Sequence, residues 1–156
     1  MNDIIGSENN LTLEPLTSER IRELWSKTYN REGKPDWSHL FPYYSDEIVF
    51  EDIIQHIESK TEFMAMCGRL AQRCEQLNMD ILSILVDEKQ AFFQWKMVMK
   101  FKRWPSNPVF GCTKLTFGED HLIIYQRDYF DLWGTILNGI PLLRKPYWKF
   151  MRRYFG

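Results

Sequence analysis

The chain has 156 residues, 44% hydrophobic and 15% aromatic, enough for one domain with a large apolar interior. A net charge of −1 excludes a general nucleic-acid binder, and no apolar run is long enough to span a bilayer. The three cysteines form no CxxC pair and the three histidines have no metal-ligand spacing, so reduced thiols, no cofactor and a cytoplasmic location are expected.

Residues 1–13 are polar and expected to be flexible. Residues 14–138 read as one folded domain, and 139–156 as a basic, aromatic C-terminal helix. The first helix starts after Pro15, with Thr17 or Ser18 as N-cap, and carries Ile21, Leu24, Trp25 and Thr28 as its stripe. Trp37, Leu40, Phe41 and Tyr44 predict a short second helix, interrupted near Pro42. Asp46 to Asp52 then alternates as a strand, with Ile48, Phe50 and Asp52 on one face. Asp52 reads either as the cap of the next turn or as a carboxylate ending an apolar face.

Ser59 and Glu62 have capping-box spacing, and the helix they open is expected to run to about Leu77. Its stripe is Phe63, Met66, Cys67, Leu70, Cys74 and Leu77. Alternation then replaces helical spacing. Strands are expected at 79–86, 90–102, 109–117 and 121–133, with turns at 87–89 and 118–120. On the second of these, Ala91, Phe93, Trp95, Met97, Met99 and Phe101 share one face. Helices first and a meander of strands after imply an α+β fold with helices packed on an antiparallel sheet.

The last strand carries the most telling pattern. Leu122, Ile124, Gln126, Asp128, Phe130 and Leu132 share a face that is apolar except at Gln126 and Asp128. A carboxylate on such a face needs a partner, a proton or a job.

Two segments resemble the nuclear transport factor 2-like superfamily, also called SnoaL-like or ketosteroid isomerase-like. One is DEIVFED, Asp46 to Asp52; the other is GEDHLIIYQRDYFDL, Gly118 to Leu132. The resemblance implies a cone-shaped α+β fold, N-terminal helices on a curved antiparallel sheet, and a homodimer formed through the outer sheet face. Asp52 stands where ketosteroid isomerases place their general base. The run RDYFDL is similar to limonene epoxide hydrolases, in which the aspartate at the position of Asp128 belongs to the catalytic centre. Trp95 and Met97 stand where those hydrolases carry an Arg-x-Asp pair, so that relay is missing. Thr113 falls near a late-strand oxyanion donor of the isomerases, and Tyr29 is the candidate donor from the first helix.

The resulting expectation is an apolar cavity holding Asp52 and Asp128 as catalytic residues. Gln126, Thr113, Tyr29, Phe50, Trp95, Met97, Ile124 and Phe130 are the expected substrate contacts. Two carboxylates in such surroundings should not both stay ionised, and the one that holds its proton suits proton transfer near neutral pH. The chemistry implied is isomerisation, cyclisation or dehydration of a bulky apolar molecule, such as a lipid, steroid, polyketide or terpenoid. The other reading is a non-catalytic module that binds an apolar ligand or assembles with a partner. In the tail, Trp148, Met151 and Phe155 fall on one helical stripe, apart from Lys149, Arg152 and Arg153, with Pro146 in the first turn. Such a helix can close a cavity, join a dimer interface, or lie peripherally on the inner membrane surface.

Overall fold

In the computed structural model of the chain, residues 13–101, 108–136 and 140–156 are described. The expectations for residues 1–12 and for the loop at 102–107 lie outside them. Helix α1 (Ser18–Tyr29) is capped by Thr17, whose side chain accepts from the Arg20 amide. It buries Ile21, Leu24, Trp25 and Thr28, the stripe read from the sequence. The expected second helix is only a 3₁₀ turn at Phe41–Tyr43, because Tyr44 already belongs to strand β1 (Tyr44–Glu51). A two-residue strand, β2 (His56–Ile57), follows and pairs with β1.

Ser59 caps helix α2 (Lys60–Arg73) by accepting from the Glu62 amide at 3.3 Å. The helix ends four residues before the expected Leu77. Cys74 and Leu77 are buried on strand β3 (Cys74–Val86), not on a helical stripe. Strand pairing with the full length of its neighbour offsets the helix propensity of this segment. Strands β4 (Gln90–Phe101), β5 (Pro108–Phe117) and β6 (Ile123–Phe130) complete the meander. Strand β6 is shorter than read from alternation, since Leu132–Ile136 form a π-helical turn. The final helix, α3 (Pro141–Tyr154), lies within the span 139–156, with Pro141 at its start, and Pro146, expected in the first turn, falls in its interior.

The six strands form one curved open sheet in the order β2-β1-β6-β5-β4-β3. All described pairs are antiparallel except β1 with β6, which run parallel, so the first and last strands meet in the middle of the sheet. Helices α1 and α2 cover one sheet face. Trp25 meets Phe93 edge-on at 5.3 Å, and Phe63 lies 4.8 Å from Tyr44 and 5.3 Å from Phe50. Gly111 has a steric role: a Cβ there would overlap the Trp95 indole and the Tyr129 carbonyl. It lets the largest side chain of the inner face lie flat over the β4–β5 ladder, where Trp95 pairs with Gly111.

Candidate functional site around Asp128

Burial sets the chemistry of the inner face, and pairing register sets its geography. Strand β4 contributes Trp95, β5 contributes Thr113, and β6 contributes Gln126, Asp128 and Phe130. Thr113 pairs with Asp128 across the β5–β6 ladder, so their side chains lie side by side. The Thr113 hydroxyl donates to Asp128 Oδ1 at 2.7 Å, and accepts from Trp95 Nε1 at 2.9 Å. With its own proton given to the carboxylate, the hydroxyl has its lone pairs free for the indole N–H. Gln126 Nε2 donates to the same Oδ1 at 3.2 Å, while its Oε1 accepts from the Tyr44 hydroxyl at 2.6 Å. The Tyr44 bond fixes which end of the amide faces Asp128.

This network leaves the second carboxylate oxygen open. Among the described residues Asp128 Oδ2 has no hydrogen-bond partner and the carboxylate has no ion pair. Among the described residues no fully buried side-chain oxygen or nitrogen lacks a partner, so Oδ2 keeps some accessible surface. Desolvation pushes the Asp128 carboxyl up from 3.8 to about 6, against the lowering effect of the Thr113 and Gln126 hydrogen bonds; the charge of Asp52 adds to the rise. Two neutral donors, Thr113 and Gln126, stand where an ion pair would have held the group ionised, and Trp95 in turn donates to Thr113.

Two phenols feel the same charge. Burial, and then the negative charge of Asp128, hold Tyr29 far above its ordinary value. Tyr44 is raised chiefly by burial. Both therefore remain neutral donors across the working pH range. Tyr29 oxygen accepts from Trp37 Nε1 at 3.3 Å, and the two rings meet edge-on. Burial pushes the Cys67 thiol up to about 12, which makes it inert.

The remaining expected residues divide. Trp95 and Phe130 have ring centroids 6.4 Å apart, Phe50 is buried against Phe63, and Met97 packs partly buried at the edge of the core. Asp52 adjoins the pair of Glu51 and Arg127, which brings it near Asp128. Its carboxylate accepts from the Ile54 and Gln55 amides at 2.6 and 2.8 Å, so it caps the β1–β2 turn. Ile124 does not face the core. It is 40% exposed, while Ile123 is fully buried. The cause is a β-bulge: Phe117 pairs with Ile123 and Thr116 with Tyr125, which leaves Ile124 as the extra residue. Strict alternation would have placed Ile124 and Gln126 on one face; the bulge turns Ile124 out and keeps Gln126, Asp128 and Phe130 in.

Tyr44 is the participant that sequence reasoning missed. Its parity with Ile48 and Phe50 was the available signal, obscured by the helical spacing from Trp37 to Tyr44. Among the described residues, no group of three His, Cys, Asp or Glu side chains is placed to hold a metal ion.

Comparison with solved structures gives the same architecture. An LEH-like epoxide hydrolase of M. tuberculosis superposes with a TM-score of 0.61 at 17% identity, over 80% of this chain and 94% of that one. A candidate SnoaL-like polyketide cyclase from Shewanella denitrificans OS-217 gives 0.62 at 15% identity, over 76% and 95%. A protein with a ketosteroid isomerase-like fold from Catenulispora acidiphila DSM 44928, solved with trimethylamine, gives 0.61 at 15% identity, over 79% and 93%. At such identities the likeness is one of fold. The sequence matches none of the curated proteins. The sequence model of the SnoaL-like domain matches residues 22–126, from the middle of α1 to the glutamine beside Asp128, and the chain belongs to that family.

Proposed function

We propose that the protein is a cofactor-independent enzyme that moves a proton on a bulky apolar small molecule, with Asp128 as general base. The observation that carries this reading is the asymmetric carboxylate: one oxygen held by two neutral donors, the other without a partner among the described residues, and the group tuned to about 6. A base with that affinity is ionised at neutral pH yet holds a captured proton long enough to return it. Oδ2 takes a proton from an activated C–H of the substrate, and the electron pair moves toward an adjacent carbonyl oxygen. Tyr29, neutral and half-buried, donates to that oxygen. The proton then returns from Asp128 to another carbon, which completes an isomerisation; alternatively the carbanion adds to a second carbonyl carbon of the same molecule, closing a ring, and the resulting alkoxide takes the proton from Asp128. Phe130, Met97 and Trp95 supply apolar contact.

Among the described residues no cation partners Asp128, which favours this over epoxide opening through an Arg–Asp relay. Trp95, at the position of that arginine, is a neutral donor engaged with Thr113. The test is α-proton exchange. Apolar ketones of increasing size are incubated in D₂O with wild type and Asp128→Asn, and deuterium uptake is followed by NMR. Wild type is expected to exchange at least one of them, and the variant to lose about 10²–10⁴-fold in rate. Equal exchange by both proteins removes Asp128 from the mechanism.

A further inference from the structure

Among the described residues helix α3 supplies no hydrogen-bond partner to Asp128, and its surface has a composition of its own. At 100° per residue, Leu143, Phe150, Tyr154, Tyr147 and Met151 fall on one continuous arc. Lys145, Lys149, Arg152 and Arg153 fall on the opposite one. Among its described side chains only Tyr147 and Met151 are half-buried. Tyr147 stacks on Trp133 with centroids 5.9 Å apart and planes at 15°. That edge contact ties the helix to the end of the sheet and leaves large apolar groups in solvent: Phe150 is 53%, Tyr154 68% and Phe155 73% exposed. The three rings gather, Phe150 lying 4.9 Å from Tyr154 and 6.2 Å from Phe155. An apolar patch of this kind marks an interaction surface.

Charge decides the partner. From residue 132 to the end the chain has five basic residues and no acidic one, although the protein as a whole is slightly acidic. The five cations border one surface depression together with Trp148. A groove on another protein would satisfy the apolar arc without asking for a basic arc behind it. A lipid surface carrying anionic headgroups satisfies both arcs at once. Among the described residues no helix is long and apolar enough to cross a membrane, which leaves an orientation along the surface. We infer that α3 is an interfacial helix that lays its aromatic face on a membrane surface containing anionic lipid.

The test reads lipid binding alone and does not depend on turnover at Asp128. The full chain is sedimented with vesicles of phosphatidylcholine, with and without 30% phosphatidylserine, at 50 mM and 500 mM NaCl. Binding is expected to the anionic vesicles at low salt and to fall sharply at high salt. The fourfold variant Lys145→Gln, Lys149→Gln, Arg152→Gln, Arg153→Gln should lose roughly a hundredfold or more in partitioning. The double variant Phe150→Ser, Phe155→Ser should weaken it at unchanged charge, with circular dichroism confirming that both variants fold. No binding by the full chain, equal binding to neutral vesicles, or binding untouched by the double variant overturns the inference. Analytical ultracentrifugation covers the remaining occupant: if the helix variants split an oligomer while lipid binding is absent, α3 is a self-association surface and the lipid assignment is wrong.

Discussion

Replacing Asp128 by Asn should make the protein more stable at pH 8 while removing the proposed proton transfer. The reasoning starts from the position of the carboxyl, which titrates at about 6 against an ordinary value of 3.8. Between those values the folded state binds more protons than the unfolded one, so stability falls as pH rises through that window. The loss amounts to about 3 kcal/mol once the group is fully ionised. Asparagine avoids it. Its carbonyl oxygen can accept from Thr113 and Gln126 as Oδ1 does, and its NH₂ takes the place of Oδ2, where no donor opposes it. The variant should therefore gain up to about 3 kcal/mol at pH 8, or roughly 6–12 °C in Tm for a chain of this size. The gain should shrink to roughly 0.6 kcal/mol at pH 4, where the folded carboxyl is protonated and the unfolded one is only partly ionised, and vanish below about pH 3. Urea melts of both proteins at pH 4, 6 and 8 measure the difference directly. A variant destabilised to the same extent at every pH would refute the argument, because it would mean that ionising Asp128 costs the fold nothing.

Thr113→Val removes a hydrogen bond to the ionised form, so the Asp128 titration should move up by about one to two units, read by carboxyl ¹³C shifts; an unchanged or lower value refutes the Thr113 contact. Tyr44→Phe strips the buried Gln126 oxygen of its donor and should cost about 1–3 kcal/mol in urea melts, with a further rise in the Asp128 titration as the amide loses its orientation. Gly111→Ala forces the Trp95 indole to move and should cost about 1–3 kcal/mol, visible also as a shift of the Trp95 indole N–H resonance. On the other sheet face, Tyr125, Arg127 and His56 together hold the Glu51 carboxyl down at about 2. Stability from that group is present above the ordinary carboxylate range and is lost as pH falls through about 2. Glu51→Gln should therefore be less stable than wild type at pH 7, with the gap closing in acid; a gap that persists at pH 2 would show that the cluster acts through packing alone.

Two kinds of information in the sequence carried different distances. Local chemistry was legible in full: Thr17 and Ser59 cap the helices that their spacing announced, and Asp87 closes the β3–β4 turn by accepting from the Lys89 and Gln90 amides. The alternation of β4 put Ala91, Phe93 and Trp95 inward, and all three are buried. The alternation of β6 put Gln126 and Asp128 on the apolar face, and that is where they lie. These features depend on residues within a turn or a pleat of one another, so a single segment contains the whole cause.

What the tertiary structure decided depends on which strand lies beside which. Alternation assigns a side chain to a face but names no neighbour. The parallel seam of β1 with β6 brings Tyr44 to Gln126, 82 residues away. The bulge that turns Ile124 outward exists because β5 and β6 pair with one residue to spare. Helix α2 stops at Arg73 because the following residues gain more by pairing along β4 than by one further helical turn. The sequence thus determined that a carboxylate would stand on the greasy face of a sheet. Only the assembled sheet determined that its partners would be a threonine, a glutamine and, through them, an indole and a phenol. Those partners come from separate strands and have no common signature in the chain.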